Sequence, residues 1–230
     1  MSAFFMESLF FGVVISTLGY ELGSFLKRKY KLAIFNPLLL AVIFVIAVLA
    51  IFRVDYDVYY EGAKYLSYLL TPATVCLAIP LYQQLQLLKK NWKAVLLAAL
   101  AGAAASMLSI YLLSLIFGLT HEQYVTLLPK SITTAIGIGV SQELGGSETL
   151  TVASIIITGI FGNMIAEGAC RLLRIRRPIA KGLAIGCAAH AIGTTKAMEI
   201  GEVEGAMSSL AIVISGIFTV IGASFFAQLL

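Results

Sequence analysis

Six stretches of this chain stay apolar for about the thickness of a lipid bilayer. They cover residues 3–26, 33–52, 62–81, 94–118, 149–173 and 207–229, and about 20 mostly apolar residues suffice to cross the hydrocarbon as a helix. Lipid offers backbone N–H and C=O groups no partners, so only helices and closed barrels span it. Windows this long select helices. Only 12% of the 230 residues are charged and 60% are hydrophobic, against about 25% charged in soluble domains. The chain reads as an all-α polytopic membrane protein, one integral membrane domain over 1–230. Residues 3–26 lack the basic start and A-x-A site of a cleavable leader, and count as a span.

Between the fourth and fifth spans, and again before the last, lie two segments too polar and glycine-rich to be ordinary spans, 124–146 and 179–205. Their sidedness follows from the cations. Lys27, Arg28, Lys29 and Lys31 follow the first span, Lys89, Lys90 and Lys93 the third, and Arg171, Arg174, Arg176, Arg177 and Lys181 the fifth. These are twelve of the sixteen Lys and Arg, with no acidic residue among them. The positive-inside rule puts all three clusters in the cytoplasm. The N-terminus then lies outside, as does the Asp55–Asp57–Glu61 loop, and Tyr56, Tyr59, Tyr60, Tyr65 and Tyr68 form an interfacial belt. The fourth span ends outside and the fifth begins there, so 124–146 enters as a re-entrant hairpin or crosses twice in short pieces. The 179–205 segment begins inside; if it returns inside, the last span ends outside.

A repeat accompanies this topology. "VASIIITGIFG" (152–162) matches "SLAIVISGIFT" (209–219) with five identities in eleven, and each copy follows a broken segment holding a threonine pair, Thr133–Thr134 and Thr194–Thr195. The expectation is about six full transmembrane helices plus two broken segments. Residues 1–123 supply N-terminal helices, and 124–173 and 179–230 form an inverted pair. Secondary transporters bind substrate between such repeats, at discontinuous helices.

Four cations remain outside the clusters: Arg53, Lys64, Lys130 and Lys196. The last two fall in the broken segments. Charge at bilayer depth is costly, so an intramembrane lysine points to function. Lys130 and Lys196 are expected to form the positive part of an anion site. The hydroxyls of Ser131, Thr133, Thr134, Thr194 and Thr195 would complete it, with Gly193 and helix N-termini at the breaks. The competing readings are that Lys130 snorkels to the outer interface and that Lys196 pairs with Glu199 at i, i+3. His190 suits a proton carrier or a partner for backbone exposed at a break. Glu202 and Glu204 read as loop or cap. Glu167 and Arg171 pair at i, i+4, and "ALAGAAASMLS" (99–109) reads as a close-packing face. Helix breaks are expected at Asn36–Pro37, at Thr71–Pro72 with Thr74, at Pro129, and at Gly145–Gly146. Cys76, Cys170 and Cys187 have no metal spacing, and neither a nucleophile–base pair nor a phosphate loop appears. No catalytic residue, metal, cofactor or nucleic-acid partner is expected.

"FNPLLLA" (35–41), "PATVCLAIPLY" (72–82), "LLPKSITT" (127–134) and "KGLAIGCAAHAIGT" (181–194) resemble, in order and spacing, the LrgB/CidB family of bacterial membrane proteins. The resemblance covers nearly the whole chain and implies two different functions. One is an antiholin-like regulator of murein hydrolase export and lysis, acting with a small LrgA/CidA-type membrane partner. The other, which the plastid glycolate/glycerate translocator suggests, is carriage of a small monocarboxylate such as pyruvate, lactate or glycolate. The carrier, or larger subunit of one, is the leading expectation, in the cell membrane, with proton coupling and a homo-oligomeric state as further expectations.

Overall fold

Asn36 and Pro37 open a helix instead of interrupting one. Asn36 Oδ1 accepts from the amides of Leu38 (2.9 Å) and Leu39 (3.2 Å), and Pro37 at the first helical position has no N–H to leave unpaired. The computed structural model describes residues 10–30, 35–76 and 78–230. Lys31, the start of the 3–26 span and Leu77 lie outside the described residues, as do the side chains of Thr71 and Thr74. Among the described residues every regular element is a helix, in two compact units, Met1–Cys76 and Leu77–Leu230.

The first unit holds α1 (Phe11–Tyr30), α2 (Pro37–Phe52), α3 (Tyr56–Ser67) and α4 (Leu70–Cys76). Ser16 Oγ and Tyr59 Oη, 2.8 Å apart, tie α1 to α3. The expected 62–81 span is not one helix. Pro72 sits in the first turn of α4, where the missing N–H would have no intrahelical partner anyway. The interruption therefore falls earlier, at Tyr68–Leu69.

The second unit holds α5 (Ala78–Gln83), α6 (Leu85–Phe117), α7 (His121–Leu127), α8 (Thr134–Glu143), α9 (Glu148–Leu172), α10 (Pro178–Ile200) and α11 (Glu202–Phe226). Among the described residues three helices are long and apolar enough to cross a membrane, within Lys89–Phe117, Glu148–Leu172 and Glu202–Leu229. This is a helical membrane protein. Residues 77–123 pack within this unit, where α6 lies on α11 and α10.

Both polar segments turn back on themselves. In the first, α7 and α8 are the arms and 128–133 the tip. The arms are held near their open end by hydroxyls: Thr151 Oγ1 donates its one proton to the Thr126 carbonyl (2.9 Å) and accepts from Ser141 Oγ (2.7 Å). Gly145, at φ 79, makes the turn into α9 in the left-handed region glycine favours. In the second, the two arms of α10 meet at Ala189 and His190, whose dihedrals leave the helical region (His190 φ 41, ψ −138). A Cβ on Gly193 would come within 3.1 Å of the Ile185 side chain, and residues eight apart touch only if the chain has reversed. Ala197 and Ile185 share one core cluster with Ala166 and Cys170. The second segment thus ends where it began.

The two tips meet along one stretch of α9. Gly137 of the first hairpin abuts Ile155, while His190 and Ala189 of the second abut Gly159 and Gly162. The two long helices are antiparallel. α9 leaves the open end of the first hairpin and finishes beside that of the second. α11 starts beside the second, Gly182 and Gly186 lying against its Glu204 and Ser208 carbonyls, and finishes where Tyr124 Oη donates to the Phe226 carbonyl (2.8 Å). A Cβ on Gly182 or Gly186 would approach those carbonyls to 2.4 and 2.5 Å, so only glycine permits this crossing.

Candidate functional site

Polar groups buried in an apolar bundle need partners, and most hydroxyls here have them. Thr194 Oγ1 donates to the His190 carbonyl (3.0 Å) and lies 2.7 Å from Ser208 Oγ. His190 Nε2 lies 3.0 Å from the Ile155 carbonyl, so its ring satisfies backbone that neighbours the break. Thr195 Oγ1 donates to the Ile192 carbonyl (2.8 Å) and accepts from Asn163 Nδ2 (3.1 Å).

Lys130 differs. It lies at the tip of the first hairpin, where Pro129 prevents α7 from continuing and Thr133 occupies the N-cap of α8. Its Nζ donates to Ser131 Oγ (3.0 Å), which also receives Ser106 Oγ (3.0 Å). Both lone pairs of the Ser131 oxygen are then engaged and its proton is free to donate. Among the described residues no carboxylate lies within ion-pair distance of Lys130. The tip therefore gathers a cation and a hydroxyl proton with donors to spare.

These donors face a cavity of about 720 Å³ between α6 and the first arm of the second hairpin. Its walls are Ala98, Gly102, Ala105 and Ala184, with Ser106 and Ser109 near Lys130–Ser131, and Asn91 and Arg177 also lining it. Asn91 kinks α6 (φ −115, ψ 15) and caps the Leu87 carbonyl with its own amide (2.8 Å). A cavity of this size is large enough for a small organic molecule, and its lining is mostly apolar with a few polar groups.

The expected constellation is only partly assembled. Lys130 and Ser131 line the cavity. Thr133 and Thr134 stand beside them, half-buried. Gly193, Thr194 and His190 are packed in the second hairpin and do not line it. The two lysines do not face each other: Lys196 bridges Glu167 Oε1 (2.7 Å) and Glu199 Oε2 (3.2 Å). Glu167 also takes Arg171 (3.1 Å). Lys196 lies on the returning arm, six residues past the tip residue His190, whereas Lys130 is in the tip itself. Pro129 and the Gly145–Gly146 turn flank the first hairpin's arms; Asn36–Pro37 and Pro72 belong to the first unit. Sequence reasoning missed Asn91, Gly102, Ser106 and Ser109 of α6. Their signal was present: polar and small residues recur every three to four positions from Asn91 to Ser109, of which the 99–109 part alone was read, as a packing face.

The LrgB-like family profile matches residues 16–229. The chain is 35% identical over 213 residues to the antiholin-like protein LrgB of Bacillus mycoides, covering 92% of this chain and 93% of that protein. It is 37% identical over 207 residues to the holin-like protein CidB of Staphylococcus aureus, covering 90% of each. The antiholin-like protein LrgB of Bacillus cereus is 35% identical over 213 residues, again 92% of this chain and 93% of the relative. No solved structure matches the chain.

Proposed function

The chain belongs to the LrgB-like family, and we propose that it acts as a non-catalytic carrier, or the larger subunit of one, for small monocarboxylates. One observation carries this reading. Lys130, at a hairpin tip, faces a cavity without a carboxylate partner among the described residues and with a spare hydroxyl donor at its side. An ammonium held at membrane depth without a counter-ion is costly, and an anion that enters the cavity relieves that cost. The returning arms of both hairpins start at the tips, so their partially positive N-terminal ends lie there too.

The wider topology belongs to this reading. In it the chain crosses the membrane six times, the third crossing built of broken helices, and enters it twice more as re-entrant hairpins, with the three cationic clusters in the cytoplasm and the N-terminus outside. The second hairpin opens to the cytoplasm and the C-terminus lies outside. The antiparallel α9 and α11 are then the long helices of an inverted repeat. Thr151 and Ser208, 57 positions apart as the repeat requires, each bond a hydroxyl on the returning arm of the hairpin before them, which supports the pairing. Cysteines introduced at Gly145 and Arg176 should label from opposite faces; labelling from one face removes the hairpin reading.

A second reading has its own support. The relatives' names are holin-like and antiholin-like, and they favour a regulator of lysis more directly than a carrier. Such a protein would act through a small LrgA/CidA-type membrane partner and move nothing. Proteoliposomes carrying this chain, with and without such a partner, separate the two. Uptake of radiolabelled pyruvate, lactate or glycolate that Lys130→Met removes supports carriage. No uptake of any short carboxylate in either preparation, together with altered autolysis on deletion, supports regulation.

A further inference from the structure

A second cavity, of about 600 Å³, opens where α9 ends beside the base of the second hairpin. Arg171, Arg174, Arg176 and Lys181 line it together with Glu167 and Glu199. The two carboxylates are committed within the protein, to Lys196 and Arg171. Arg174, Arg176 and Lys181 have no carboxylate within ion-pair distance among the described residues. The backbone aims this charge. α9 stops at Leu172, the Ile175 amide donates back to the Cys170 carbonyl (2.8 Å), and the chain reverses through Arg174. The next residue in sequence, Arg177, lines the Lys130 cavity instead. Adjacent arginines thus serve different cavities.

We propose that this second cavity binds a phosphate group. Three uncompensated cations around one concavity exceed what a single carboxylate can match. Guanidinium forks fit the oxygens of a phosphate two at a time, and the Lys181 ammonium adds a point charge. The group can arrive on a phospholipid headgroup or on a phosphate compound in solution; the chemistry of recognition is shared. The proposal is independent of carboxylate carriage, since it uses none of the residues at the Lys130 tip.

Two measurements on the full chain test it. In neutral detergent, inorganic phosphate is titrated while the thermal unfolding midpoint and phosphorus NMR linewidth are followed. In vesicles of phosphatidylcholine with and without phosphatidylglycerol, native mass spectrometry counts retained lipid. Saturable phosphate binding that persists in Lys130→Met, or selective retention of phosphatidylglycerol, supports the site and names its source. The double variant Arg174→Gln/Arg176→Gln should weaken that binding by about tenfold, and Lys93→Gln, which removes an exposed cation elsewhere, should not change it. Each variant's unfolding transition reports whether it folds. Equal losses in Lys93→Gln and the double variant would mean diffuse surface charge and overturn the proposal. So would binding of neither ligand.

Discussion

Both hairpins of the second unit carry a lysine beside a threonine pair, and they treat it in opposite ways. In the first, the lysine precedes the threonines, falls in the tip, and faces an open cavity with only hydroxyl company. In the second it follows them, falls on the returning arm, and is held between two carboxylates. The second tip is occupied by a buried histidine that bonds the Ile155 carbonyl. The same residue types at similar spacing thus produce a proposed anion site in one hairpin and a latch in the other. Depth along the hairpin decides which. A lysine at the tip has no protein anion within reach, while one six residues further on meets the end of α9, where Glu167 stands.

The contrast breaks most sharply at the lysines. Lys130→Met should lower carboxylate uptake by about tenfold or more, the loss expected for hydrogen bonds to a charged group, with the unfolding transition retained. Lys196→Met should spare most of the uptake and lower the unfolding midpoint. The reverse pattern in a proteoliposome assay would exchange the roles of site and latch.

Stability provides the next test. Thr151→Val leaves the Thr126 carbonyl without its donor and the Ser141 hydroxyl without its acceptor, and should cost about 1–2 kcal/mol, between the range for buried unpaired groups and that for hydrogen bonds in membrane helices. Ser208→Ala in the second hairpin should cost less, because Thr194 keeps the His190 carbonyl as a partner. Thermal unfolding in detergent would rank the two. Equal costs would mean that the hairpins are held alike.

The tips differ in backbone as well. The first turns through Pro129 with ordinary dihedrals, whereas the second turns at His190 in a region that side chains rarely adopt. His190→Gly and His190→Ala both lose the bond to Ile155, so their difference isolates the backbone. Glycine should be the more stable by about 1 kcal/mol. If alanine matches glycine, the second tip is unstrained.

Much of this was legible from residue chemistry. Proline at 129, glycine at 145 and 146, and hydroxyls clustered in apolar surroundings mark broken helices without any tertiary knowledge. The depth of Lys196 was not legible, because its partner Glu167 comes from another helix 29 residues earlier; its local pairing with Glu199 could be anticipated from i, i+3 spacing. Pro72 misled for a local reason: in the first turn of a helix proline breaks nothing. The α6 stripe misled for another, since small residues that let helices approach also leave room for a cavity, and the two outcomes share one sequence.

The smallest effect tests whether the latch is more than a surface pair. Glu167→Gln leaves Lys196 with Glu199 alone, and the side chains of Lys196 and Glu167 are 21% and 44% exposed. Pairs this open are screened and contribute less than about 1 kcal/mol. The coupling between Glu167 and Glu199 in a double-mutant cycle should therefore be a few tenths of that and shrink on adding about 1 M salt, where screening acts over about 3 Å. A coupling that salt leaves unchanged would show that the carboxylates and the ammonium are shielded from solvent. The second hairpin would then hold its charge at depth as is proposed for the first, and the contrast between site and latch would rest on counter-ions alone.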